Sequence, residues 1–135
     1  TDPKQLVTAV ADGAGYKTAA VKSGFDITVP IGTMRKQVVH VEFGGRDDEG
    51  HEIIRFHSVC GPASGRNAMQ LLRYNTKMVH GAFAVVQQGQ DEKIAIQANL
   101  LTETVDALEI NRVLAAVAWQ ADRVEEKLLG GQDQY

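Results

Sequence analysis

Two histidines are the side chains of this sequence whose positions most suggest chemistry. His40 and His57 lie in two segments that alternate apolar and polar residues, a pattern typical of half-buried β-strands. A hairpin register that places Val41 opposite Phe56 also brings the two histidines together on the other face of the sheet. The two imidazoles would make half of a metal site, because zinc normally takes three or four ligands.

The charged residues on the same predicted face favour a different interpretation. Glu42 shares the face of the histidines, but Arg55 does too, and opposite charges on neighbouring strands form natural cross-strand pairs. No thiol or further carboxylate obviously converges there. We therefore predict a polar sheet face and no metal ligands. A small metal-binding sensor or enzyme that uses the His40/His57 face is the alternative function.

The single cysteine is the other candidate for chemistry. Cys60 follows His57 by three residues, and positions three apart point to opposite faces of a strand. The imidazole therefore cannot activate the thiol as a nucleophile. Cys60 shares the apolar face of Ile54 and Phe56, so we expect a buried thiol that behaves as a small hydrophobic side chain. The sequence predicts no catalytic residue.

Other polar segments have simpler interpretations. The stretch 61–65 lacks the Lys-Ser/Thr ending of a phosphate-binding loop and indicates a capped helix start. The acidic cluster 47–49 has the wrong spacing for a calcium loop and indicates a solvated turn. His51 and His80 are predicted to be ordinary surface residues.

Composition excludes several classes of protein. The chain has 135 residues, of which 44% are hydrophobic, and a formal net charge of −3. The length and the hydrophobic fraction are enough for one globular core. The charged residues form no basic face suited to nucleic acid. No apolar run is long enough to span a bilayer, and one cysteine fits a reducing compartment. We expect a cytoplasmic protein with no nucleic-acid or membrane partner, although a chain that begins at Thr1 is compatible with processing or trimming.

Hydrophobic periodicity predicts an α+β fold in one domain, 1–135, with an antiparallel sheet flanked by helices in the order α-β-β-β-α-β-β-α. The predicted elements are a helix from Asp2 to about 11, strands near 25–31, 37–43 and 54–60, a helix from 61–65 to about Lys77, strands at 82–87 and 93–99, and a helix capped by Asp106. Segment 16–23 either extends the first strand or is irregular. Gly130 and Gly131 are predicted to end the last helix, before a frayed tail at 132–135.

The last helix carries two apolar strips. One has helical spacing and is predicted to face the sheet; it consists of Ile110, Val113, Val117, Ala121, Val124 and Leu128. The other lies opposite and consists of Leu108, Arg112, Ala115 and Trp119. Either another helix of the same chain covers this second strip, or it is a partner or dimer interface, where Trp and Arg are enriched.

The second half of the sequence resembles the YbjN family, which is described as bacterial sensory-transduction regulators. The resemblance is carried by a helix end, a glycine-opened hairpin and a last helix, in the segments LLRYN (71–75), VHGAFAV (79–85), IAIQANL (94–100) and AWQADRVEEKL (118–128). The first half is similar in element order only. Within these segments Asn75 and Gly81 are expected to be structural, ending the helix and starting the strand.

The resemblance implies the fold of type III secretion chaperones, which are commonly homodimers without a cofactor. These chaperones bind extended client segments over apolar patches and exposed strand edges. The family brings no catalytic residues to this chain. We therefore expect a non-enzymatic protein-binding domain, chaperone-like or a regulatory adaptor, that forms a homodimer and binds a protein or peptide client. A structural domain of a larger assembly is a third possibility.

Overall fold

The computed structural model describes residues 2–129 and contains three α-helices and six β-strands. The elements, in chain order, are α1 (Pro3–Gly13), β1 (Lys17–Val21), β2 (Gly24–Ile31), β3 (Arg35–Arg46), β4 (Glu52–Pro62), α2 (Gly65–Tyr74), β5 (Ala82–Gln88), β6 (Asp91–Leu101) and α3 (Ala107–Leu129), with a 3₁₀ turn at Asn75–Lys77 after α2.

All six strands form one antiparallel sheet in the order β1-β2-β3-β4-β6-β5. Successive strands are joined by hairpins except between β4 and β5, where α2 carries the chain past β6 to the edge of the sheet. Side chains alternate between two faces, as the pleat of a strand requires. Strands β1 and β5 are the edges, so each has a neighbouring strand on one side only.

Helices α1 and α3 cover one face of the sheet and form the core with it. Val7 and Ala11 of α1 and the α3 residues Ile110, Val113, Val117 and Ala121 are buried against residues of β2, β3, β4 and β6, and Val124 is partly buried there. Both helices begin at an aspartate cap, because Asp2 Oδ1 accepts a hydrogen bond from the Lys4 amide at 3.0 Å and Asp106 Oδ1 accepts one from the Glu109 amide at 2.8 Å. The opposite face of the sheet carries no helix.

The predicted α+β class and the antiparallel sheet flanked by helices are confirmed, and so are both aspartate caps. The structure adds one strand, β1, in the segment 16–23 that the sequence left open. Four of its five residues are exposed, which explains why it lacks the alternation of the other strands. The predicted helix end at Gly130 and Gly131 and the tail 132–135 lie outside the described residues, as does the Leu128 side chain.

Polar side chains also lie at the interface between the sheet and α3. Gln37 is buried and donates from Nε2 to Ser58 Oγ and to the Val59 carbonyl, each at 2.9 Å. Arg35 on β3 reaches Asp122 on α3, with 3.0 Å between Nη2 and Oδ2. The Gln37 hydrogen bonds join β3 to β4, and the Arg35–Asp122 contact fixes the position of α3 on the sheet more specifically than apolar packing alone. No helix within residues 2–129 is both long enough and apolar enough to cross a bilayer.

Candidate functional site

The two histidines singled out in the sequence lie side by side on the helix-free face of the sheet. Strands β3 and β4 pair His40 with His57 and Val41 with Phe56, the register that the sequence predicts. The imidazole centroids are 4.9 Å apart and the ring planes are inclined by 34°. Strand alternation places both histidines on this face, since Val41 and Phe56 both face the core, and the β3–β4 register puts the two imidazoles opposite each other.

The histidines lie in a groove that runs across this face. The groove has a volume of about 330 Å³. Its lining includes Val21 on the edge strand β1 and Val86 on the opposite edge strand β5. Side chains from both edges therefore line one groove, which means that the sheet is curved and its helix-free face is concave. Both imidazoles are partly exposed to it. A ligand in the groove would therefore have access to both rings.

A carboxylate lies beside each imidazole. Asp26 on β2 is opposite His40 in the sheet, and its Oδ1 is 2.7 Å from His40 Nδ1. Glu42 Oε1 is 3.4 Å from His57 Nδ1, a looser contact than a good hydrogen bond. In a neutral imidazole whose Nδ1–H donates to a carboxylate, Nε2 is the unprotonated acceptor. Sequence reasoning missed Asp26, although alternation along 25–31 places it on the polar face.

The environment of His57 lowers its pKa. Burial lowers the pKa of His57, and the neighbouring His40 lowers it further, while Glu42 acts in the opposite direction. His57 is therefore neutral at pH 7. A neutral imidazole beside two carboxylates does not attract anions.

Glu42 and Arg55 are cross-strand neighbours, as expected, but their side chains make their polar contacts with other residues. The two residues are opposite each other in β3 and β4, but Arg55 donates from Nε to Asn99 Oδ1 at 3.0 Å, on the next strand. Glu42 instead makes its contact with His57. Within residues 2–129, no three side chains of His, Cys, Asp or Glu converge on a point that would hold a metal ion.

Cys60 lies on the core face of β4 and is buried, as predicted. Burial raises the pKa of its thiol to about 12, and the nearby Glu125 carboxylate contributes to the rise. The thiolate is therefore absent at neutral pH, and Cys60 is not available as a nucleophile. His57 is on the opposite face, as the spacing requires.

The remaining histidine and acidic candidates are surface features. Asp47 Oδ1 accepts hydrogen bonds from the amides of Glu49 and His51 and closes the β3–β4 turn, with no calcium-loop geometry. His51 Nδ1 is 2.9 Å from Glu103 Oε1. That contact joins the turn to the segment after β6.

The second apolar strip of α3 faces solvent. Trp119 is 48% exposed and Leu108 is 59% exposed, while Ala115 is half-buried and Arg112 is exposed. No helix of the described chain covers the strip, so the interpretation that both faces of α3 are buried within the chain is not supported. We refer to Leu108, Arg112, Ala115 and Trp119 as the Trp119 strip.

Sequence reasoning missed a second exposed apolar surface, formed by α2 and the edge strand β5. None of the described residues of α2 is buried, and Met69 and Leu72 are 58% and 60% exposed. Val85 of β5 is half-exposed beside them. We refer to Met69, Leu72 and Val85 as the α2–β5 surface. By helical spacing Leu72 lies on the same side of α2 as Ala68 and Leu71, but only the latter two are partly buried.

The end of α2 is fixed to β5 by the two residues that were expected to be structural. Asn75 Oδ1 accepts a hydrogen bond from the Phe83 amide at 2.7 Å, and Asn75 Nδ2 lies 3.4 Å from the Phe83 carbonyl oxygen. Gly81 has a φ of 85°, a conformation that a side chain disfavours. The α2–β5 surface is therefore held at a defined position although α2 has little contact with the sheet.

Comparison with known proteins identifies the fold. The chain is similar to the Yersinia pestis type III secretion chaperone SycH, solved in complex with a stable fragment of YscM2, with a TM-score of 0.59 and 17% identity over 90% of this chain and 98% of that one. It is also similar to YbjN from E. coli, described as a candidate transcription regulator, with a TM-score of 0.57 and 11% identity over 94% of this chain and 91% of that one. No family model and no curated protein sequence matches it. The predicted YbjN-like and chaperone-like fold is confirmed.

Proposed function

We propose that this protein is a non-enzymatic protein-binding module, chaperone-like or a regulatory adaptor, that works as a homodimer in the cytoplasm. The observation that carries the proposal is α2, a helix with apolar side chains in solvent and no described residue buried. The fold supports it, because the SycH neighbour was solved with a bound protein fragment. One buried cysteine suits a reducing compartment.

The α2–β5 surface is the proposed contact between two copies of the chain. A helix of 10 residues is marginal in water on its own, and α2 packs against the core only through partly buried side chains, chiefly Leu71 and Tyr74. A second copy would bury Met69 and Leu72 and supply the missing stabilisation. The outer side of β5 has no neighbouring strand, so its backbone groups are also open to pairing across a two-fold axis.

The Trp119 strip is the proposed contact with a different protein. Helix α3 is stabilised by its opposite side, which is buried in the core, so it does not depend on a partner for folding. A half-exposed tryptophan next to an arginine is typical of a binding hot spot. The two surfaces would let the homodimer hold two copies of a client segment.

Light scattering on purified protein tests the homodimer. We expect the wild type to be a dimer at micromolar concentration. Leu72→Gln, which keeps helix propensity but removes apolar contact, should weaken the dimer about tenfold or more. Trp119→Ala is the matched control and should remain dimeric. A monomeric wild type would refute the proposal, and dissociation by Trp119→Ala alone would refute the assignment of the two surfaces.

A peptide array drawn from proteins encoded beside the gene tests client binding. We expect Trp119→Ala and Arg112→Ala to reduce binding of a recognised peptide about tenfold or more, since buried aromatic and arginine anchors dominate such contacts. Gln90→Ala, on the exposed β5–β6 turn, is the control and should bind like the wild type. A peptide that binds all four proteins equally would show that the Trp119 strip is not the contact.

A further inference from the structure

We propose that the paired imidazoles of His40 and His57 bind one divalent late first-row transition-metal ion, such as Cu²⁺, Ni²⁺ or Zn²⁺, in the concave groove of the sheet. The inference concerns a face that the proposed protein-binding surfaces do not use. It depends on three features of the structure: the distance between the rings, the carboxylates behind them and the groove in front of them.

The first feature is the position of the rings. Directly opposite places in β3 and β4 hold the two imidazoles with their centroids 4.9 Å apart. Metal–nitrogen bonds of imidazole are about 2.0–2.1 Å long, so one ion between two rings needs their ligating nitrogens about 3–4 Å apart. The proposal requires the two side chains to rotate until their ligating nitrogens reach that separation.

The second feature is the pair of carboxylates. A metal-ligating histidine usually donates its other ring N–H to a carboxylate or carbonyl, which fixes the tautomer and makes the ligating nitrogen more basic. Asp26 takes that position behind His40 at 2.7 Å, and Glu42 lies behind His57 at 3.4 Å. The hydrogen bond from His40 Nδ1 to Asp26 leaves His40 Nε2 as the nitrogen that presents a lone pair. The looser contact of His57 Nδ1 with Glu42 favours the same arrangement in the second ring.

The charges around the groove decide which ligand class fits. Asp26 and Glu42 disfavour an anion. Calcium and magnesium require six or more oxygen ligands or near-ideal octahedral oxygen geometry, which this site does not supply. Imidazole nitrogen suits zinc, copper and nickel.

The site has an open coordination shell. Because no third His, Cys, Asp or Glu among residues 2–129 joins the two imidazoles, water from the groove must complete the coordination. An ion with two protein ligands binds more weakly than a closed structural zinc site and exchanges more readily. By the Irving–Williams order Cu²⁺ should bind most tightly of these ions, so it is the best probe.

The test is a Cu²⁺ titration of the chelator-treated full chain at pH 7.5, followed by calorimetry and by electron paramagnetic resonance. We expect one ion per chain with hyperfine coupling to two nitrogens. His40→Gln and His57→Gln should each weaken binding at least about tenfold, because losing a second-shell partner alone typically costs 10–100-fold. Each variant should also show coupling to one nitrogen fewer.

Two further variants distinguish binding at the His40–His57 pair from binding at any surface histidine. They also distinguish a lost ligand from a misfolded chain. His51→Gln removes a histidine that also has a carboxylate partner, but has no second imidazole, and should bind Cu²⁺ like the wild type. Asp26→Asn keeps both imidazoles and should weaken binding about 10–100-fold with the two-nitrogen signal unchanged. Circular dichroism of each variant confirms the fold. Equal binding by the wild type and His40→Gln, or an equal loss in His51→Gln, would overturn the proposal.

Discussion

A single arginine contacts two carboxylates of α3. Replacing each carboxylate in turn tests how burial determines the contribution of an ion pair to the free energy of unfolding. Arg35 Nη2 lies 3.0 Å from Asp122 Oδ2 and 3.3 Å from Glu126 Oε2. The Asp122 side chain is 2% exposed, whereas that of Glu126 is 50% exposed. The two contacts have the same donor and similar lengths, so they differ chiefly in access to water.

The expected magnitudes follow from that difference. Asp122→Asn keeps the shape of the side chain but places an amide donor or a neutral oxygen against the guanidinium. Removing one partner of a fully buried pair costs about 3–5 kcal/mol. Arg35 is 37% exposed and keeps Glu126, so the cost is nearer that of a hydrogen bond to a charged group, about 2 kcal/mol. Glu126→Gln should cost less than about 1 kcal/mol, as exposed pairs do.

Urea denaturation at fixed protein concentration measures both costs. With an m-value of about 2 kcal/mol/M, Asp122→Asn should lower the midpoint by about 1 M, and Glu126→Gln by less than about 0.5 M. The concentration must be held constant because dimerisation would itself change the midpoint. Equal shifts of the urea midpoint for the two variants, or a larger shift for Glu126→Gln, would show that burial does not determine how much these contacts contribute to stability.

Three further predictions concern protonation. Native Cys60 should resist a thiol-specific disulfide reagent at pH 8 and react only after unfolding, because burial raises its pKa to about 12; fast reaction of the native chain would contradict this. In an NMR titration, the hydrogen bond and charge of Glu103 should raise the pKa of His51 above its ordinary 6.5, and Glu103→Gln should reverse the rise. His51 therefore stabilises the fold below pH 6.5, and this contribution is lost as pH rises through its folded pKa. Burial lowers the pKa of His57, so His57 destabilises the fold as pH falls through 6.5. A folded-state pKa of 6.5 or lower for His51, or of 6.5 or higher for His57, would refute the corresponding direction.

Local patterns in the sequence predicted the parts of the site that depend on one strand or one helix. Alternation placed His40 and His57 on one face and Cys60 on the other, since neighbouring side chains of a strand must point to opposite sides. The spacing of residues in α3 separated its buried strip from the side that bears Trp119. The helix caps at Asp2 and Asp106 were also predictable, because each side chain accepts a hydrogen bond from an amide no more than three residues away.

Contacts between distant segments were not predictable from these patterns. The carboxylate nearest to His40 comes from β2, fourteen residues away, and was found only once the β2–β3 register was known. Likewise, the Arg35–Asp122 pair joins residues 87 positions apart. An alternating pattern says which face a side chain occupies, but the neighbour it meets depends on strand order and register.

The sequence by itself determined the α+β class, the two faces of the central strands and a polar face that carries two histidines, because backbone geometry converts residue order directly into sides of a strand or helix. Only the tertiary structure decided that α2 packs against the core through Leu71 and Tyr74 and leaves Leu72 in solvent, since helical spacing defines an apolar side without saying how much of it the fold covers. The same holds for the groove, which arises from the curvature of six paired strands and brings Asp26 and Glu42 beside the two imidazoles.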